Sequence, residues 1–131
     1  MKLSQCSRQP LNFGYRSIME YPVIDMKTIQ AAADRLAAAA SSPSRIILFG
    51  SYGRGTAAED SDLDLMVIEQ EITDRATEYL RLRAALGRVA PGTGVDLLIY
   101  PLDEFERRSQ VPGTLHYEVR LEGKVLHDAL H

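Results

Sequence analysis

Three aspartates carry the chemistry open to this sequence. Asp62 and Asp64 stand two apart at the head of an apolar run over residues 65–68, and Asp96 interrupts a second run over residues 95–100. Strand side chains alternate, so Asp62 and Asp64 share one side while Leu63, Leu65 and Val67 take the other. Two carboxylates held side by side repel, and a divalent cation is the usual reason to keep them together. Asp96 is out of phase with Val95, Leu97 and Ile99. A lone acid in such a run is costly unless a metal, a cation or a hydrogen-bonded loop receives it. Upstream, the apolar residues 46–49 stop at Gly50-Ser51. Glycine lets backbone approach a bulky anion, and Ser51 adds a hydroxyl and opens a helical turn whose free amides can face phosphate oxygens. Arg54, one turn on, could bind the same anion or brace the carboxylates.

Other features of this stretch are weaker. Gly53 and Gly55 are as well explained as plain turn residues. Glu59 and Asp60 read as a solvated acidic loop, and Ser61 shapes the turn before the second strand. No Gly-Lys-Ser/Thr follows the glycines, so this is not a Walker A loop, and the GxGxxG dinucleotide fingerprint is absent. His116, His127 and His131 lack metal-ligand spacing and are expected to be structural or at the surface.

The acids need strands and helices to hold them. The first strand is expected over residues 45–49 and the second over 62–68, returning beside it, with a third over 95–100. Before them, Asp25 can cap a helix starting at Met26, with Met26, Ile29, Ala33, Leu36, Ala37 and Ala40 on its packed side. Ser41-Ser42-Pro43-Ser44 ends it. A second helix is expected from Thr73, as its cap, to about Val89, burying Ala76, Tyr79, Leu82, Leu86 and Val89. Its arginines (75, 81, 83 and 88) read as a solvated face paired with Glu78 and others. Gly87 and Pro91-Gly92 stop it. Two short helices are expected over residues 102–109 and 114–121, the latter turning Leu115, Val119 and Tyr117 inward, before a final strand over 124–126. The class is α/β (α+β), a small mixed sheet with helices packed on it.

Composition narrows the function. A chain of 131 residues fits one domain, and a net charge of −3 argues against strong nucleic-acid binding. One cysteine, Cys6, allows no internal disulfide. No apolar run is long enough to span a bilayer, and Lys2 and Arg8 have no apolar segment behind them, so a cytoplasmic location is the expectation. Residues 1–25 mix polar and aromatic residues and read as an extension, with the working domain over 26–131.

Gly50-Ser51, ten residues, then Asp62-x-Asp64 resembles the signature of the DNA polymerase beta-like nucleotidyltransferases, and most of all their minimal nucleotidyltransferase (MNT) branch. The resemblance runs from about Ile29 to His127. Many MNT proteins are antitoxins paired with a HEPN-domain toxin. The resemblance implies that Asp62, Asp64 and Asp96 are the catalytic, metal-holding acids, with two Mg²⁺ ions in the active state. It implies that Gly50 and Ser51, helped by Arg54, hold the phosphates of ATP. It further implies transfer of AMP to a hydroxyl, a tyrosine of a HEPN partner being the first expectation. Two other readings stand beside it: an MNT-fold module that neutralises a partner by contact alone, and transfer to a small alcohol such as an aminoglycoside. The oligomeric state stays open.

Overall fold

In the computed structural model, which describes residues 23–130, nine elements build one mixed sheet between two helical layers. In order they are α1 (Met26–Ala39), β1 (Ser44–Phe49), α2 (Gly50–Arg54), β2 (Leu63–Glu69), α3 (Arg75–Leu86), β3 (Val95–Pro101), α4 (Leu102–Arg108), α5 (Leu115–Glu122) and β4 (Lys124–Asp128). The sheet order is β3-β2-β1-β4. Strand β1 is antiparallel to β2 and β4, and β2 is parallel to β3. The parallel pair is joined through α3, because parallel strands need a crossover connection.

The two central strands are buried on both faces. Leu63, Leu65 and Val67 pack with Ile46, Leu48, α1 and α3, whereas Met66 and Ile68 pack with Ile47, Phe105 of α4 and Val119 of α5. This two-sided burial explains why residues 65–68 read as an unbroken apolar run rather than an alternating one. Helix α1 is capped as its sequence suggests: the Asp25 carboxylate accepts from the Thr28 amide at 2.8 Å. Nearly all of the expected extension, residues 1–25, lies outside the described residues. Ile24 is nevertheless buried with the core, and its amide donates to the Tyr52 hydroxyl at 3.1 Å.

Several inward positions differ from expectation. Met26 is exposed and Ala32 is buried in its stead. The cap of α3 is Asp74, not Thr73: its carboxylate accepts from the amides of Ala76 and Thr77. The helix ends at Leu86 rather than Val89, at Gly87 with φ +60°. Ala76 is exposed, and the buried row is Glu78, Leu82 and Leu86, one residue every four. Helix α5 is turned likewise. Leu115 is exposed, and His116 and Val119 face inward, the His116 ring lying edge-on to Tyr100 at 4.3 Å between centroids. Burial pushes the His116 imidazole below its usual range.

The turn of α3 follows from a polar contact. Glu69 closes β2 on the α3 side and is fully buried, next to Glu78. Glu78 accepts from the Ser41 hydroxyl and from the Ser41 amide at 2.9 Å, and Glu69 Oε1 accepts from the Ser42 hydroxyl at 3.3 Å. Glu69 Oε2 has no conventional donor among the described residues. The neighbouring Glu78 carboxyl is the group it can bond, and that bond needs a proton on one of the two. Burial, then the contact with Glu78, raises the Glu69 pKa to about 7. Burial alone would raise Glu78 too, but its hydrogen bonds with Glu69 and Ser41 and the charge of Arg81 outweigh that and hold it below the carboxylate range.

A raised carboxyl binds more protons folded than unfolded, so it stabilises at low pH and loses that share as pH climbs through the folded value. Wild type should therefore lose stability between its ordinary carboxyl range and about pH 7. Glu69→Gln should flatten that slope and gain up to roughly 2–3 kcal/mol at about pH 8. Urea melts of both proteins across that range measure the difference, which cancels the contribution of other acids.

Candidate active site

The acids meet at the end of the sheet where β1 finishes and β2 and β3 begin. Asp64 and Asp96 are direct register partners on the parallel strands, and Phe49 faces Asp64 from β1. Register partners point to one face, here the face of Met66, Leu98 and Tyr100 covered by α4 and α5. Asp62 lies one step before β2. Its carboxylate rests over Gly94, where an added Cβ would come within 2.9 Å of Oδ1. Asp62 and Asp96 are exposed and Asp64 is half-buried between them.

Gly50 holds the opposite wall. Its φ of +69° is open to glycine and strained for other residues, and an added Cβ would lie 2.1 Å from Asp64 Oδ2. The backbone of Gly50 therefore touches the central carboxylate directly. Gly53 lets α2 sit on the end of β1, since a Cβ there would meet the Leu48 carbonyl at 2.7 Å. The N-cap of α2 is Phe49, with no side chain accepting from the first turn. The amides at Ser51 and beyond are thus open to an anion. Arg54 closes the helix. It makes a loose, exposed pair with Glu122 at 3.9 Å, and its charge also reaches Asp64.

The electrostatics are those of crowded like charges. Asp64 is pushed up to about 6, first by burial, then by its hydrogen bond to Asp96 and by the charges of Asp96 and Asp62, with Arg54 pulling the other way. Among the described residues no group of three or more acidic, histidine or cysteine side chains is placed to hold a metal ion by itself, Asp62, Asp64 and Asp96 included. Magnesium does not need such a group: it is commonly held by one or two carboxylates together with waters and substrate phosphates. A carboxylate pair that repels, facing a turn with free amides, fits that half-built arrangement.

The structure brings Gly50, Asp62, Asp64 and Asp96 together. Ser51 lies in the adjoining first turn of α2, and the charge of Arg54 reaches Asp64. A cavity of about 410 Å³ opens beside the acids, lined by Phe49, Asp64, Asp96, Tyr79, Arg83 and Leu115 among others. Tyr79 also packs against the core and Arg83 lies on a solvated face, both as expected, whereas Leu115 is exposed rather than inward. The four-residue spacing of Tyr79 and Arg83 was a usable signal, because it puts both on one side of a helix that ends beside the acidic strand. Gly94, two before Asp96, was also missed; it shares the aspartate's strand face.

Three comparisons with known proteins bear on the family and the fold. Residues 33–129 match the family model described as polymerase beta, nucleotidyltransferase. A 30-residue stretch is 63% identical to a Methanocaldococcus jannaschii protein named "putative protein adenylyltransferase MJ1305". That stretch is 23% of this chain and 20% of that relative, so the chain matches only about a fifth of the relative's length. Two solved structures share the fold. One is a nucleotidyltransferase of Sulfolobus solfataricus, described as putative (TM-score 0.53, 16% identity, 78% of each chain). The other is a toxin–antitoxin structure with AMP-PNP (TM-score 0.51, 24% identity, 76% of this chain and 73% of that one).

Proposed function

Because the chain belongs to the polymerase beta nucleotidyltransferase family, we propose that it moves AMP from ATP to a hydroxyl of a protein partner, silencing that partner as an antitoxin would. The observation that carries the reading is the shared rung of Asp64 and Asp96, set against the Gly50 turn. The name of the archaeal relative and the nucleotide analogue in the toxin–antitoxin structure support the choice of donor and of a protein acceptor. The preferred acceptor is a tyrosine of a HEPN-type toxin.

The reaction forms a bond between the acceptor oxygen and the α-phosphorus and breaks the bond from that phosphorus to the pyrophosphate oxygen. Bound Mg²⁺, held by Asp62, Asp64 and Asp96, would supply charge neutralisation for the attacking and departing oxygens. The residues do the rest. The amides after Gly50, the Ser51 hydroxyl and Arg54 bind the β and γ phosphates and fix the α-phosphorus beside the acids. Asp96 is exposed, so an acceptor can approach it, and a carboxylate oxygen of Asp96 takes the hydroxyl proton. Pyrophosphate leaves with the bonding electrons.

The test is incubation with ATP, Mg²⁺ and the product of the neighbouring gene, followed by intact mass. The partner should gain the mass of one AMP, on a tyrosine. A stable complex whose partner mass is unchanged removes the transferase reading in favour of contact alone. Arg54→Ala should weaken ATP binding by about tenfold, as loss of one charged phosphate contact does. Titration with a fluorescent ATP analogue checks it, and an unchanged Kd would take Arg54 out of the phosphate site.

A further inference from the structure

We propose that the open edge of β3 is the docking strip for the acceptor, an extended apolar segment of the partner protein that adds itself to the sheet as a fifth strand. The inference rests on the transferase reading above and says how the hydroxyl is delivered.

The backbone directions come first. The Leu63 amide donates to the Gly94 carbonyl at 2.9 Å, so the polar backbone of Gly94 points at β2. Strand groups alternate, so those of Asp96, Leu98 and Tyr100 also face β2, and those of Val95, Leu97 and Ile99 face away. Arg83 confirms the sense, because its guanidinium donates to the Val95 carbonyl at 2.9 Å from the outer side. Strand β3 ends the sheet order. Among the described residues no strand takes up the outward amides and carbonyls of Leu97 and Ile99. Such an edge is a template for an incoming strand.

The surroundings decide what kind of strand. A groove of about 690 Å³ runs along this edge, with Ala76, Tyr79 and Leu80 of α3 on one wall and the strand on the other. Leu80 is 67% exposed, the most exposed of the large apolar side chains described. The groove therefore suits apolar side chains. It is continuous with the acid cavity, sharing Tyr79, Leu97 and Leu98 with it. That cavity includes Asp64 and Asp96 on one face of the sheet and Tyr79 and Arg83 of α3 on the other, so it wraps around the edge.

Register then places the hydroxyl. A residue paired opposite Asp96 on an added strand has its Cβ about 4.5–5.5 Å from that of Asp96, on the same face. A tyrosine there stands beside Asp96, on the face that also carries Asp64. The strip runs into the acid cavity through Tyr79, Leu97 and Leu98, and that continuity favours the acceptor over a second copy of this chain.

The probe is a library of nine-residue peptides with one central tyrosine and random apolar or small polar residues elsewhere, offered with ATP labelled in its α-phosphate. Labelled peptides should show apolar residues at alternate positions on one side of the tyrosine. Methylating the backbone nitrogens on one edge of the best peptide should cut its labelling by about tenfold or more, and Leu80→Asp should raise its KM by a similar factor. Circular dichroism of Leu80→Asp should match wild type, and Ala76→Glu, also exposed, repeats the test in a second background. Labelling indifferent to N-methylation and to both groove variants overturns the docking strip and leaves the transferase. A peptide that binds in fluorescence anisotropy, sensitive to both changes, yet is never labelled leaves the strip and removes the transferase. Absence of both binding and labelling overturns the strip. So does a wild-type dimer in sedimentation that Leu80→Asp disperses, since the edge is then a self-interface.

Discussion

Asp64→Asn should lose nucleotidyl transfer by roughly 10³-fold or more, the scale seen when a central electrostatic group is removed from an active site. Asp64 is the middle of the three acids: it shares a rung with Asp96, lies against the Gly50 backbone and feels the charge of Asp62. Asparagine keeps the shape and one carbonyl oxygen but removes the charge that would neutralise a cation. The fold should stand. The carboxylate is crowded by burial and by two like charges, so its neutral isostere relieves repulsion. Thermal unfolding of the variant, in chelator, should come no lower than wild type, while label from α-labelled ATP stays on the nucleotide. Full transfer by this variant would contradict the assignment, and a collapsed melt would make Asp64 a structural residue.

Gly50→Ala should be nearly as damaging, for a different reason. The left-handed backbone costs an L-residue about 1–2 kcal/mol. The new methyl would also stand 2.1 Å from Asp64 Oδ2, so something must shift. Either the Asp64 side chain leaves its rung or the α2 turn lifts from the sheet. Both outcomes separate the α2 amides from the acids, and a displacement of about 1 Å is enough to cost about 10²-fold in rate. We expect a lower midpoint in urea and a transfer rate down by at least that factor. Gly55→Ala is the control: it also has positive φ, at +76°, but nothing lies within 4 Å of its added Cβ. It should lose stability and keep transfer. Equal activity loss in both would mean that backbone strain, not contact with Asp64, sets the requirement at Gly50.

The acids were legible because alternation is a strong signal. Asp62 and Asp64 alternate with Leu63 and Leu65, and Asp96 with Val95 and Leu97. Three buried-strand patterns and one abrupt Gly-Ser stop therefore gave the sheet, the turn and the face of the acids. What the alternation could not supply was adjacency. Whether Asp96 met Asp64 depended on β3 lying beside β2, and only the pairing register shows that it does. Helix rotation was also hidden. In α3, apolar residues at 76, 79, 82 and 86 suggested one face, but the burial of Glu78 turned the helix toward a different row. That choice depends on Ser41, Ser42 and Glu69, distant in sequence and ordinary in type. In α5 the packing of His116 against Tyr100 won over Leu115 for a similar reason: a ring contact across elements leaves no local trace. Arg83 is solvated as expected, but its partner is the Val95 backbone carbonyl, which sequence cannot mark.

The most direct test is anomalous diffraction from crystals soaked with Mn²⁺ and a nonhydrolysable ATP analogue. A metal peak coordinated by Asp64 and shared with Asp62 or Asp96 is expected, with the analogue's terminal phosphates on the amides that follow Gly50. A nucleotide bound elsewhere, or a metal that ignores Asp64, would contradict it.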